Sequence, residues 1–134
     1  MQPTAQVASV SKKSVWTGRI LSGLALLVFA FTAMLGVLNP AAAAQGFAHY
    51  GYPDGSMVRI AIVELACVLL YAIPRTSVLG AILLTGYLGG AISTHVRASE
   101  PFFLPLGVGV ILWLGLFLRD ARIRALLPLR SPAS

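Results

Sequence analysis

Four apolar runs, each long enough to cross a lipid bilayer as a helix, set the terms for this chain. Residues 20–38, 76–94 and 102–118 contain no charged side chain, and residues 57–73 contain only Arg59 and Glu64. Crossing the hydrocarbon core takes about 20 residues of helix, within a range of roughly 17–25, so all four runs qualify. None alternates polar and apolar residues, and barrel strands are about half this length, which argues against strands. Composition agrees: 57% of the 134 residues are hydrophobic and 10% are charged, against about 25% charged in a soluble domain. The reading is all-α, an integral membrane four-helix bundle with spans at about 17–38, 57–73, 76–96 and 102–119. A disordered tail (1–14) precedes a single membrane domain (15–124), and a cytoplasmic tail (125–134) follows.

The basic residues orient the spans. Lys12, Lys13, Arg19, Arg75, Arg119, Arg122, Arg124 and Arg130 fall on one side and only Arg59 and Arg97 on the other. The positive-inside rule then puts both termini in the cytoplasm, as expected for a multi-pass protein of the bacterial inner membrane. The net charge of +6 is thereby a matter of topology, and no nucleic-acid partner is expected. A signal peptide is the rival for the first run, because Ala41–Ala44 resembles an Ala-x-Ala cleavage site. Its apolar region exceeds the usual length of about 7–15 residues, which favours a retained span; cleavage would leave three spans and an outward N-terminus.

The second and third spans form a tight hairpin. Pro74 stops the first arm, Arg75 sits in the turn, and Thr76 or Ser77 is expected to cap the second arm. Pro105 belongs in the first turn of the last span, where its missing N–H costs nothing. In the long outer connection, residues 41–50 suit a short interfacial helix with Phe47 and Tyr50 at headgroup level. Pro53, Asp54, Gly55 and Ser56 then turn the chain and cap the second span.

Glu64 is the outstanding polar group. Nine strong apolar neighbours contribute roughly −3 to −5 kcal/mol to insertion of its span, and a central acid costs on the order of +3 kcal/mol. An ionisable residue at such depth is a functional-site hypothesis by default. Reflecting residue numbers about the hairpin turn puts Glu64 level with Thr85, with Tyr87 within about 3 Å of that depth at 1.5 Å rise per residue. Thr32 in the first span is also near the bilayer centre. Glu64, Thr85, Tyr87 and Thr32 are therefore the candidate binding residues. Arg59 lies about 140° around the helix from Glu64 and reads as a snorkelling anchor. His95 is roughly 15 Å away in depth, too far for a direct contact. It joins Asp54 and Arg97, with His49 and Glu100, in an outer polar cluster.

Gly86 and Gly90 form a G-x-x-x-G pair, which suits close helix packing within the bundle. Trp16 reads as an interfacial belt residue, whereas Trp113 lies inside a span and its N–H needs a partner. Cys67, the only cysteine, rules out an intrachain disulfide or dithiol chemistry and suits a small buried packing role. The two histidines lack metal-ligand spacing, so no metal site and no catalytic residue are expected.

Several short motifs resemble the DoxX-like family of small bacterial membrane proteins. They are Gly51-Tyr52-Pro53 followed by Arg59-Ile60 and Glu64-Leu65, then Ile73-Pro74-Arg75-Thr76, Gly86-Tyr87-Leu88-Gly89-Gly90-Ala91, Thr94-His95-Val96-Arg97, Leu118-Arg119-Asp120 and Arg124-Ala125-Leu126-Leu127-Pro128. The resemblance covers about residues 16–130. It implies a four-helix membrane bundle and association with quinol-oxidase, thiol or oxidative-stress complexes. The first span departs from the family pattern: Gly36-Val37-Leu38-Asn39 stands where relatives often carry Gly-x-x-Lys.

The expected role is a non-catalytic accessory subunit that binds a quinone or another lipid-soluble molecule between helices. Partners would be the bilayer, further copies of the chain, or a membrane redox complex. A small proton-coupled transporter or channel using Glu64, and a membrane component of an oxidoreductase complex, are the alternatives.

Overall fold

A computed structural model describes residues 9–126. The described residues are all-α, with six helices: α1 (Lys12–Leu38), α2 (Pro40–His49), α3 (Ser56–Ala72), α4 (Ser77–Arg97), α5 (Phe103–Arg119) and α6 (Ala121–Leu126). α1, α3, α4 and α5 follow the four apolar runs, and α2 occupies the outer connection where a short helix was expected. α1 and α4 are long and apolar enough to cross a membrane by length and composition.

The long helices pack in a closed ring. α1 lies on α5 and α3, and α4 lies on α3 and α5, so α1 is diagonal to α4. Each contributes one narrow buried stripe. On α1 it is Gly18, Ser22, Ala25 and Phe29; on α3, Glu64, Cys67 and Tyr71. On α4 it is Ser77, Ala81, Leu84 and Leu88, and on α5 Pro105, Val108, Leu112 and Leu116. Spacings of three and four put these residues on single helix faces. The outward faces are equally apolar: Leu24, Leu27, Phe31, Ile62, Leu69, Ile82 and Val110 are all exposed. Only 17% of the most apolar window of α1, and 28% of that of α4, is buried. A soluble protein rarely exposes apolar surface on that scale.

Three glycines set the helix separations. A Cβ on Gly18 would meet the Gly115 carbonyl oxygen at 2.6 Å, and one on Gly115 would meet the Ser22 nitrogen at 2.9 Å. One on Gly80 would overlap the Tyr71 backbone. Gly86 and Gly90, expected to pack inside the bundle, have nothing within 4 Å of a built Cβ. They face open space.

The helix ends also depart from expectation. Thr76 and Ser77 do not cap α4. Their hydroxyls donate backward, Thr76 to the Leu70 carbonyl at 2.7 Å and Ser77 to the Tyr71 carbonyl at 2.8 Å, closing the C-terminus of α3 instead. α3 has no side-chain cap either, and Gly55 precedes it at φ 80°, a conformation that glycine adopts freely. Pro105 does sit in the first turn of α5.

The tail boundaries shift. Lys12–Ser14, read as part of an unstructured tail, are helical, because Ser11 accepts a hydrogen bond from the Ser14 N–H and starts α1. Residues 1–8 of that tail lie outside the described residues. Ala125 and Leu126 belong to α6 rather than to a tail, and residues 127–134 lie outside the described ones. α6 carries a clasp that the pattern of apolar runs does not announce. Arg124 donates to the Phe117 carbonyl at 2.8 Å, to the Leu118 carbonyl at 3.2 Å and to the Ser14 hydroxyl at 2.5 Å. It thereby ties the start of α1 to the last carbonyls of α5, which a cation suits.

Candidate ligand-binding site

Glu64 lies on the buried stripe of α3, 8% exposed. Tyr87 Oη donates to its Oε2 at 3.0 Å. Thr32 Oγ1 lies 3.1 Å from Oε1 and 2.9 Å from the Phe29 carbonyl, so its one proton serves both acceptors. The structure thus brings together three of the four proposed binding residues, one each from α1, α3 and α4. Tyr87 also meets the Phe29 ring edge-on at 6.2 Å.

Thr85 is not among them. It lies at the right depth but on another face of α4, two residues and so about 200° from Tyr87. Its hydroxyl donates to the Ala81 carbonyl at 2.7 Å and accepts from Trp113 Nε1 at 2.8 Å. Trp113 thereby obtains the partner its N–H requires. This pair lies in a separate, almost wholly apolar groove of about 600 Å³ between α4 and α5.

A second cavity, of about 300 Å³, opens between α2, α3 and α4 at the end of the bundle that carries α2, the end expected to face outward. Its walls include Phe47, Tyr50, Tyr52, Tyr87, Thr94 and His95, and Gly86 and Gly90 form its α4 side. Local backbone chemistry builds these walls. At the end of α2 the Tyr52 N–H donates to the Phe47 carbonyl and the Gly51 N–H to the Ala48 carbonyl. This is a Schellman motif with Gly51 at φ 80° in the left-handed position. The hydrophobic contact that accompanies such motifs is the Phe47–Tyr52 ring pair, with centroids 5.4 Å apart. α4 ends the same way. The Glu100 N–H donates to the His95 carbonyl and the Ser99 N–H to the Val96 carbonyl. Here Ser99 takes the left-handed position at φ 58°, and Glu100 is returned toward α2.

Glu100 holds α2 in place. Tyr50 Oη donates to Oε2 at 2.6 Å, and His49 Nε2 lies 3.0 Å from Oε1. The His95 ring packs against Tyr50 with centroids 5.6 Å apart. The outer polar cluster is therefore real but differently composed. His49, Tyr50, His95 and Glu100 meet, whereas Asp54 and Arg97 are exposed and make no side-chain hydrogen bond among the described residues. The Tyr50 and His49 hydrogen bonds hold the Glu100 carboxyl below its ordinary value of 4.5, and the same carboxylate pushes the Tyr50 hydroxyl up.

A depressed carboxyl stabilises the fold above its unfolded-state value and loses that contribution as pH falls. The α2 tie is thus intact above about pH 4.5 and weakens below it. Acidifying from about pH 6 to about pH 3.5 is expected to speed amide hydrogen exchange in α2 while leaving the middle of α4 protected. Equal protection of α2 at both pH values would show that Glu100 does not hold it.

The comparisons with known proteins give one match. A family model described as the DoxX-like family matches residues 20–117. No curated protein matches the chain, nor does any solved structure. The matched segment runs from the first turns of α1 to the end of α5 and so takes in the ring of long helices and the second cavity with Glu64 behind its Tyr87 wall. The chain therefore belongs to the DoxX-like family, a membrane-associated family.

Proposed function

We propose that the protein is a four-span membrane protein that binds a lipid-soluble small molecule in the outer cavity and has no catalytic activity of its own. The observation that carries this reading is the cavity itself. It is about 300 Å³ in volume, lies between helices where ligand sites commonly form, and reaches the Tyr87–Glu64 pair at its inner wall. In this reading α1, α3, α4 and α5 each cross the bilayer of the bacterial inner membrane. The basic residues of the ends formed by α1 and α5 face the cytoplasm. A retained first helix is supported by its partnerships, since Ser14, Thr32 and the Gly18 backbone all serve the rest of the fold.

The inner half of the bundle disfavours a through-channel. Tyr71 and Leu112 are fully buried, and Tyr71 Oη lies 2.9 Å from both the Leu112 carbonyl and the Ser22 hydroxyl. The Arg119 guanidinium covers the Tyr71 ring at 5.5 Å. The cavity lining also fits a quinone poorly. Quinone carbonyls need donors, and the hydroxyl protons of Tyr50, Tyr52, Tyr87 and Thr94 are already used within the protein. Assembly with further copies or with a redox complex belongs to the same accessory role and would be read from native purification.

Gly90→Leu tests the reading, because Gly90 lines the cavity and an added Cβ has nothing within 4 Å, so the larger side chain fills cavity space. Native mass spectrometry of the wild type is expected to retain a bound organic molecule that the variant lacks, at equal melting temperature. Equal retention by both proteins, or no bound molecule in either, would overturn it.

A further inference from the structure

We infer that the outer cavity is a receptor for an organic ammonium cation, a step that rests on the ligand-binding reading above and names its ligand class. The inference follows from where the protons of the lining groups go. Tyr87 donates to Glu64 and Tyr50 to Glu100. Thr94 donates to the Gly90 carbonyl at 2.9 Å, so the 2.7 Å contact between Tyr52 and Thr94 is a donation from Tyr52. His95 Nδ1 lies 2.7 Å from the Ala91 carbonyl, so in the neutral ring Nδ1 carries the proton and Nε2 keeps a lone pair. Among the described residues, every hydrogen-bonding side chain of the lining has therefore given its proton to the protein. What remains for a ligand is lone pairs and aromatic faces.

Such a surface suits a group that is positive and bears no acceptor. Phe47, Tyr50, Tyr52 and Tyr87 supply four aromatic rings, and aromatic cages are a recurrent way to bind quaternary ammonium groups. Two of the rings belong to tyrosines hydrogen-bonded to carboxylate side chains, which draws negative charge toward the cavity. The chain carries ten basic residues and four acidic ones, yet no lysine or arginine is among the lining residues, and two of the four acids stand directly behind the cage. Gly86 and Gly90 leave room on the fourth side. The same chemistry is offered by a free organic amine and by the trimethylammonium head of a phosphatidylcholine at this outer depth.

The test uses the full chain in uncharged maltoside micelles, with radiolabelled benzyltrimethylammonium as probe. Saturable binding is expected, and neopentylbenzene, its neutral isostere, should displace it on the order of tenfold less well than the unlabelled cation. Gly90→Leu should abolish binding, and Glu64→Gln should weaken it by about the same factor while binding of the neutral isostere is unchanged. Displacement by added phosphatidylcholine but not phosphatidylglycerol would identify a lipid head as the occupant; displacement by soluble amines alone would identify a free cation. Both outcomes support the inference. If neopentylbenzene competes as well as the cation in a Gly90→Leu-sensitive manner, the cation inference fails and the lipid-soluble ligand reading stands. If neither compound binds saturably, the cation inference fails, and the absence of any co-purified molecule then decides against the ligand-binding reading as well.

Discussion

Gly80→Ala is expected to remove most folded protein, while Gly86→Ala, six residues along the same helix, leaves it intact. A methyl group on Gly80 would strike the Tyr71 nitrogen, lie 2.5 Å from the Tyr71 Cα and 2.7 Å from the Leu70 carbonyl carbon. All three are backbone atoms, so no rotamer change relieves the overlap and α3 must move away from α4. That movement also breaks the Thr76 and Ser77 hydrogen bonds to the Leu70 and Tyr71 carbonyls. Overpacking typically costs about 1–3 kcal/mol, and a backbone collision in a tight hairpin belongs at or above the top of that range. The helix-propensity gain from glycine to alanine is only about 1 kcal/mol. At Gly80 the gain is overwhelmed. At Gly86 nothing lies within 4 Å of the added carbon, so the gain acts alone and the melting temperature holds or rises. Monodisperse yield after detergent extraction and thermal melting measure both variants, and an unchanged melting temperature for Gly80→Ala would contradict the hairpin geometry.

Glu64→Leu should act in opposite directions on two measurements. On insertion scales a central acid costs about 3 kcal/mol and leucine contributes roughly −0.5 kcal/mol. Isolated α3 in a single-span insertion reporter should therefore insert on the order of 100-fold better as the leucine variant. The folded protein should nevertheless become less stable. Leucine accepts no hydrogen bond, so Tyr87 Oη loses its acceptor inside the bundle, at a cost of about 1–3 kcal/mol, and the Thr32 link from α1 to α3 is lost. A variant that both inserts and melts better than wild type would show that Glu64 does nothing for the packed state. Its retention would then rest on ligand binding alone.

The four long helices were legible because apolar runs of this length, three uncharged and one carrying only Arg59 and Glu64, do not alternate as strands do, and their ends are marked by Arg75, Arg97 and Arg119. The Glu64 partnership was half legible. Counting residues from the hairpin turn gives depth, and depth correctly brought Tyr87 and Thr32 to Glu64. It does not give azimuth, so Thr85 shares their depth and yet faces Trp113. The glycines misled for a related reason. G-x-x-x-G describes a groove but not whether a helix fills it, and the close crossings fall at Gly18, Gly80 and Gly115, which form no such pair. Crossing points follow from the hairpin turn and from the α1–α5 contact between residues far apart in sequence. The Glu100 tie depended on the left-handed conformation of Ser99, a backbone choice that its side chain does not advertise. The α6 clasp rests on a charged residue, Arg124, that reads in the sequence simply as one of several basic residues after the last apolar run.

The pairing of α1 with α5 has a consequence for biogenesis. α1 finds its most extensive partner in α5, which is made after it, and the clasp that joins them waits for Arg124. During synthesis the Gly18–Ser22 notch of α1 must stay open while the α3–α4 hairpin forms from local contacts. Closure of the ring is therefore a late step, and a chain stalled before α5 would hold a finished hairpin beside an unpartnered helix.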